Sequence, residues 1–336
     1  MARFVGRRLV FLVAMLLGLL LLTFAISHVA PGDPASLAAG PDATPEMVEQ
    51  IRQEYGLDRP LPVQLGRYLL GILQGDLGRS VRTNHDVLAD LADFFPATFE
   101  LVTVSILIAV LLGIPLGVLS ALGRNGWFDQ LARVVSVSGV AIPMFWLGLM
   151  LQLLVALDLG WLPLGGRLGL MSTPPEPITH LYLLDSLLQG QWQVFGDAAA
   201  HLLLPALALC FPALASIIRV NRAEMIEALG QDYIVTARAH GLGGFRTVCL
   251  YALKNAMLPT LAMIGLRFGW MLGGTVLVES VFDWPGIGLY ATQSAIAQDF
   301  QPIMGVTLLI GISFMLANLL VDLAYVWLDP RTREPA

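Results

Sequence analysis

TFELVTVSILIAVLLGIPLGVLSAL, residues 98–122, is an apolar run of 25 residues, longer than the ~20 that an α-helix needs to cross a bilayer core. Five more runs accompany it: Leu9 to about Val29, Ala132–Leu157, His201–Ile218, Asn255–Val278 and Ile303–Leu328. The shortest, 18 residues, still lies in the usual range of ~17–25. Pro115, Pro143, Pro205, Pro212 and Pro259 fall in or at the ends of these runs. A membrane bundle tolerates them because neighbours or water satisfy the carbonyls they free. Composition agrees with the runs. Of 336 residues, 56% are hydrophobic and 13% charged, with mean hydropathy +0.73, whereas a soluble domain carries about 25% charged residues. The expected fold is therefore an all-α integral membrane protein with six transmembrane helices. The two cysteines, Cys210 in an apolar run and Cys249 in a basic loop, have the spacing of neither a disulfide framework nor a metal site.

The net charge of −6 hides a sign that varies along the chain. Arg3, Arg7 and Arg8 precede the first run, which is longer than a signal peptide's roughly 7–15-residue core, and His28 spoils a small-x-small cleavage site. The run reads as a retained helix starting in the cytoplasm. On that basis the inner set of cations is Arg3, Arg7, Arg8, Arg124, Arg133, Arg219, Arg222, Arg238, Arg246, Lys254, Arg331 and Arg333. The outer set is Arg52, Arg59, Arg67, Arg79, Arg82 and Arg167, and the last outer loop, Glu279–Pro302, has none. The excess places both termini inside. The chain then divides into an N-terminal tail and first helix (1–29), an outer cap (30–97), helices 2–6 (98–328) with an inner loop at 219–259, and a cytoplasmic tail (329–336).

The cap carries helix signals. Thr44-Pro45-Glu46 reads as a cap, an N-terminal proline and an acid near the helix dipole, before a stripe of Val48, Ile51 and Tyr55. A second stripe, Tyr68, Leu69, Ile72 and Leu73, ends at Gly75, and a third, Val87, Leu88, Leu91, Phe94 and Phe95, leads into Pro96. Its acids include Asp33, Asp42, Glu46, Asp76, Asp86 and Asp90. Such a cap suits either docking of a partner or shielding of helix ends. The connection Asp158–Ala200 is expected to hold a short surface helix around Leu181–Leu188.

The inner loop Arg219–Pro259 is patterned. Met225, Ile226 and Leu229 share a helical face, Gly230-Gln231-Asp232 breaks that helix, and Asp232 is placed to cap the next, Tyr233–His240. Gly241 is the residue type that ends helices, Gly243-Gly244 permits a reversal, and Phe245–Met257 returns to the membrane. A short helix projecting between two longer ones has something to press against, or else rests on anionic lipid.

Ala237-Arg238-Ala239-His240-Gly241-Leu242, with Asn255-Ala256-Met257-Leu258-Pro259 downstream, resembles the coupling loop of ABC-importer permeases, most closely the peptide/nickel subfamily. Pro31-Gly32-Asp33-Pro34, Tyr55-Gly56-Leu57-Asp58, Gly75-Asp76-Leu77-Gly78, Phe95-Pro96-Ala97-Thr98, Gly148, Trp284-Pro285-Gly286-Ile287-Gly288 and Asp329-Pro330-Arg331 resemble its landmarks in order. Leu184-Asp185-Ser186-Leu187-Leu188 is similar to the B-type permease of dipeptide importers. The general importer pattern opens with Glu-Ala-Ala where Val235-Thr236-Ala237 stands here, and that variant is itself what the subfamily resembles. The resemblance implies a type I importer permease in a bacterial inner membrane, paired with a homologous second permease. Two ATPase subunits would grip Tyr233, Thr236, Ala237, Arg238, Ala239, His240, Gly241 and Leu242 from inside. A periplasmic binding protein would deliver a peptide or related small substrate to the cap. Membrane lipid surrounds the assembly, and no nucleic acid is expected. ATP and Mg belong to the ATPase subunits, and this chain is expected to bind no cofactor.

Arg267 lies in the middle of the fifth run, where a cation costs ~2.5–3.5 kcal/mol on insertion scales and faces the bundle interior. It is either a pathway residue, together with Gly273 and Gly274, or the partner of a carboxylate such as Glu279 or Asp322. Gly269, Gly273 and Gly274 allow close helix approach or leave room for substrate. Asp322 is expected to pair with inner-edge arginines. The chain is not itself an ATPase, because its only lysine, Lys254, sits between Leu253 and Asn255 and no Gly-Lys-Ser/Thr exists. His28, His85, His180, His201 and His240 are scattered, and neither a zinc helix nor a nucleophile elbow occurs. The rival readings are an ion-driven secondary transporter, disfavoured by the near-solitary Arg267, and a structural subunit of another membrane complex.

Overall fold

The computed structural model describes residues 2–29, 35–36, 43–54 and 58–328. Their regular structure is helical, apart from one isolated antiparallel bridge between Arg79 and Asp86. After α1 (Ala2–Val29) come two shorter helices, α2 (Pro45–Glu54) and α3 (Leu61–Gln74), and then α4 (Val87–Leu122). Next are α5 (Trp127–Ala141) and α6 (Met144–Leu151), the latter continued by a π-helical turn at Gln152–Asp158. A long connection containing α7 (Tyr182–Leu188) leads to α8 (Trp192–Leu229) and the short α9 (Asp232–Ala239). α10 (Gly244–Arg246), a second π-helical turn (Thr247–Ala252) and α11 (Leu253–Val281) follow one another without a break, before α12 (Ile287–Ile296) and α13 (Phe300–Leu328). The Pro31–Pro34 motif, Tyr55-Gly56-Leu57, Asp42 and the 329–336 tail lie outside the described residues, as do the side chains of Arg3, Arg7, Arg8, His28 and Asp322.

Four helical stretches among the described residues are long and apolar enough to cross a membrane: Val87–Leu122, Trp192–Leu229, Gly244–Val281 and Phe300–Val321. The protein is thus an all-helical, multi-pass membrane protein. The pair α5 and α6 with its π-turn passes the same test jointly, which makes up to five spans, but it bends by 106°. The run Ala132–Leu157, expected as one helix, is therefore two. The cause is local: Ile142 precedes a proline and takes an extended backbone (φ −81°, ψ 122°), and Pro143, also extended, is the N-cap of α6. In α1 the described side chains give only a shorter apolar stretch, Val13–Ala25.

Helices outrun the apolar stretches that announced them. α4 begins at Val87, so Phe95-Pro96 lies inside a helix and the division at 97/98 falls where no element begins. α8 extends beyond His201–Ile218 at both ends and continues through Pro205 and Pro212. The expected helix after Thr44 is α2, with the Met47 amide 3.4 Å from the Thr44 hydroxyl. The helix expected near Leu181–Leu188 is α7, and Gly75 ends α3 with φ +81°.

α8 is the central element. Of its most apolar 18-residue window 78% is buried, against 33–39% for the other three spans, so it is the one wrapped by protein rather than lipid. α4, α5, α6, α7 and α11 all pack on it. The closest approaches run through glycines: a methyl group on Gly113 or Gly117 of α4, or on Gly139 of α5, would collide with Ile217, Asn221 or Ala215 of α8.

Polar ties fasten the two ends. At the end that carries α9, buried Asp129 accepts hydrogen bonds from Ser120 (2.6 Å), Arg133 (2.7 Å) and Arg222 (2.8 Å), joining α4, α5 and α8. At the opposite end Glu100 of α4 accepts from Arg167 and from the Leu183 amide, both at 2.7 Å, and the Arg167 guanidinium lies 3.5 Å from the centre of the Tyr182 ring. Buried Glu279 accepts from the Thr98 hydroxyl (2.6 Å) and the Leu289 amide (3.0 Å). That contact explains the glycines of Trp284-Pro285-Gly286-Ile287-Gly288, since a Cβ at Gly286 or Gly288 would strike the Glu279 carboxylate.

In the α7 connection, burial pushes the Asp185 carboxyl up. The Thr179 hydroxyl and the amides of Thr179, Ile178 and His180 outweigh this and hold it below its ordinary value. A carboxylate so depressed stabilises the fold fully above its unfolded value of ~3.9 and loses that contribution as pH falls through the folded value.

Two predictions follow for the detergent-purified protein. Arg167→Met strands the buried Glu100 charge and should cost about 3–5 kcal/mol, whereas the double variant Glu100→Met/Arg167→Met should recover much of that loss. Thermal unfolding of the single and double variants checks this. Asp185→Asn should lower the unfolding midpoint at neutral pH, and the difference from wild type should shrink below about pH 4.

Candidate functional site

The sequence-selected residues fall in two places, the α9 end of the bundle and a cavity near its mid-height. α9 is preceded by Gln231, whose extended backbone (φ −81°, ψ 152°) makes it the N-cap. Asp232, expected as the cap, is instead the first helical residue; its carboxylate sits in the first turn and makes no capping bond. Gly241 does end the helix. At φ +74° it occupies the left-handed region, its amide donates to the Arg238 carbonyl (2.9 Å), and the Leu242 amide donates to Ala237 (3.2 Å). Those two bonds are a Schellman motif. Asp232 in the first turn and Arg238 in the last both complement the helix dipole.

Only two α9 side chains point inward. Ile234 is fully buried in a small core with Ala121 of α4, Met225 and Ala228 of α8, and Ala252 and Ala256, and Ala237 is also buried. The ends of three long helical segments therefore hold one face of α9. Tyr233, Thr236, Arg238, Ala239, His240 and Gly241 are exposed, and Leu242 is half-buried. Tyr233, Thr236, Ala237, His240 and Leu242 surround a shallow cavity of about 490 Å³ together with Tyr251. Tyr251 was not selected from the sequence. Nor were Val235, Phe245 and Leu250, although they leave 62%, 83% and 62% of their surface exposed around the same helix. A reading by periodicity assigns apolar residues to a buried face, so it passes over apolar residues that a partner is meant to cover.

The second place is a cavity of about 800 Å³ lined mainly by apolar side chains. Its walls come from the middle of α8 (Leu209, Pro212, Ala213), the middle of α11 (Arg267 to Gly274) and the middle of α13 (Thr307 to Met315), with Met15 of α1 and Met144 of α6. Of the three glycines left open between packing and space, Gly269 serves packing, because a methyl group there would collide with Phe314 of α13. A Cβ on Gly273 would meet nothing within 4 Å, and one on Gly274 only the Met144 thioether at 3.8 Å. Gly273 and Gly274 therefore leave space.

Arg267 lines this cavity without a hydrogen-bond or ion-pair partner among the described residues, and its Nε is buried and unbonded. Glu279, one of the two carboxylates considered for it, is held by Thr98 and Leu289 and lies about 18 Å further along α11 at ~1.5 Å per residue. Among the described residues, the charged neighbour that acts on Arg267 is another cation, Arg219 of α8. Among the described residues no three His, Cys, Asp or Glu side chains gather as a metal site requires.

Comparison with known proteins places this arrangement. Residues 113–334 match the family model described as binding-protein-dependent transport system inner membrane component, and residues 1–102 match the model for the N-terminal part of such membrane components. The chain is 48% identical over 320 residues, 95% of its own length and 94% of the relative's, to the probable D,D-dipeptide transport system permease protein DdpB of Escherichia coli K12. It is 40% identical over 337 residues, 99% of both chains, to the dipeptide transport system permease protein DppB of the same organism. The glutathione transport system permease protein GsiC of Pectobacterium atrosepticum is 38% identical over 327 residues, 97% of each chain. A projecting, Schellman-closed helix on a multi-pass helical bundle, with these matches over nearly the whole chain, leaves neither rival reading standing: the chain belongs to the binding-protein-dependent transport system inner membrane component family and is the permease subunit of an ATP-binding-cassette importer.

Proposed function

We propose that this permease forms half of a translocation pathway for short peptides, and that α9 is the helix through which separate ATPase subunits drive it. The geometry of α9 carries the reading. Its inner face is wedged among the ends of α4, α8 and the α10–α11 segment, and its outer face presents Tyr233, Thr236, Arg238 and His240 beside exposed Phe245 and Leu250. A rigid knob with an uncovered apolar and basic surface suits a protein that pushes on it. Any displacement of α9 would be passed by Ile234 to α8, whose middle lines the cavity.

In this assembly the chain crosses the bacterial inner membrane six times, α1 and the bent α5–α6 pair each counting as one crossing. Both termini face the cytoplasm, and the segment before α4 forms a periplasmic cap. A homologous second permease completes the pathway, a periplasmic binding protein delivers substrate to the cap, and two ATPase subunits use ATP and Mg at the α9 side. The chain itself holds no cofactor. Short peptides are the proposed cargo because relatives similar over nearly their full length are named for D,D-dipeptide, dipeptide and glutathione transport.

Two experiments test this. Proline at Gly241 would need φ near −65° where the backbone has +74°, and it would remove the amide that bonds Arg238. In the reconstituted importer Gly241→Pro should keep ATP hydrolysis but abolish coupled uptake, while Gly241→Asn, which tolerates the left-handed region, should retain most uptake. Normal uptake by Gly241→Pro removes α9 from the drive path. For topology, cysteine placed at His240 in a cysteine-free background should react with an impermeant thiol reagent only in inside-out vesicles, and cysteine at Val81 only in right-side-out ones. The reverse pattern inverts the protein.

A further inference from the structure

The mid-height cavity contains a charge that the coupling mechanism does not use. We propose that Arg267 is a specificity-determining residue that receives the free carboxylate of the transported molecule, the surrounding apolar wall accepting its apolar side chains. The inference rests on the peptide-permease reading for the identity of the cargo, but not for the existence of the anion site.

Four observations converge on it. A guanidinium among apolar walls is costly unless an anion or water answers it, and Arg267 has neither an ion-pair nor a hydrogen-bond partner among the described residues, with Nε buried and unbonded. The carboxylate that might have neutralised it from its own helix, Glu279, is committed to Thr98 and Leu289. Among the described residues the charge that acts on Arg267 from a neighbouring helix is Arg219, of the same sign, which does not neutralise it. Finally, the space is real. The cavity measures about 800 Å³, inside the roughly 300–1,000 Å³ of small-ligand sites, and Gly273 stands where a side chain would have met open space.

The chemistry selects a carboxylate with a small or apolar body. Guanidinium presents a planar fork that matches two carboxylate oxygens, and Met144, Met271, Phe314 and Leu209 offer the rest of the molecule no polar partner. Methionines adapt to varied shapes, so the wall would accept a range of side chains while the cation reads the terminal carboxylate that all such peptides carry.

Two measurements test the proposal separately from the peptide reading. In the reconstituted importer with its own binding protein, initial uptake of a dipeptide and of its C-terminal amide is compared in wild type, Arg267→Gln and Arg267→Lys. Arg267→Gln should reduce uptake of the free acid by about ten-fold or more, the scale of one charge-assisted hydrogen bond, and leave the amide unchanged. Arg267→Lys should restore most of the acid's uptake. Equal loss for acid and amide makes Arg267 structural and overturns the proposal, as does no loss for either. In the purified complex, Trp270, which lines the same cavity, should change fluorescence saturably with N-acetylalanine but not with N-acetylalanine amide. The response should vanish in Arg267→Gln, with Trp270→Phe assigning the signal. Absence of a saturable response in wild type overturns the anion site even if peptides are imported. A response to the acid in a complex that imports no peptide keeps the site and removes the peptide reading.

Discussion

The structure depends on one close-packed contact surface, that of α8 with α4 and α5. Gly113, Gly117 and Gly139 let these helices approach until Ile217, Asn221 and Ala215 fill the positions where their side chains would have stood. In lipid there is little hydrophobic gain from bringing two helices together, so dense packing of small residues has to supply the association. Because α8 is enclosed, its length connects three places. Its first turns hold the Asp197–His201 contact (3.1 Å), its middle lines the cavity, and its last turns, at Met225 and Ala228, seat Ile234 of α9. The inward-facing residues of α9 thus have no soft surface to press into. The two prolines inside α8, Pro205 and Pro212, each remove one backbone hydrogen bond, and Pro212 does so at the cavity wall. The stiff element therefore has its weakest hydrogen bonding where a pathway would have to change width.

Charge is distributed to match. Asp129 with Arg133 and Arg222 ties one end, and Glu100 with Arg167 the other, each carboxylate nearly inaccessible and each with several donors. Buried pairs add little net stability over well-packed apolar residues. Their effect here is positional: each fixes the relation of two or three helices at a bundle end, where sliding would otherwise be easy. Between the ends the cavity wall is mainly apolar, and Arg267 is its one charged residue among the described residues.

Much of this was readable in the sequence, and the boundary of legibility is physical. Long apolar runs mark lipid-compatible lengths, so four of the six runs coincide with helices long enough to cross a membrane, but hydrophobicity stops where a helix leaves the bilayer. Hence α4 and α8 are longer than their runs. The bend at Ile142–Pro143 was written in the proline, yet prolines at 96, 115, 205 and 212 sit in helices that continue. Only the tertiary context decides between these outcomes. α9 was legible because its end signal is local chemistry: a glycine at φ +74°. Its N-cap was misassigned to Asp232 by one residue, since Gln231 holds the extended backbone without any side-chain bond. Arg267 was identified as anomalous, but its lack of a partner is a long-range property. No local pattern could have revealed that Glu279 is occupied by Thr98, far away in the chain.

The separation of scaffold from site follows from these magnitudes. An arginine at mid-helix costs ~2.5–3.5 kcal/mol on insertion scales, which the bundle must carry. It can do so because the residues that hold the helices together, Gly113, Gly117, Gly139, Asp129 and Glu100, are not those that line the cavity. Changing the wall at Arg267 or Gly273 therefore leaves the packing of α8 on α4 and α5 intact, whereas changing the packing of α8 moves the wall and α9 together. On the two proposals above, a permease built this way would vary its cargo by substitutions near Arg267, Gly273 and Gly274 while keeping one mechanical connection to its drive.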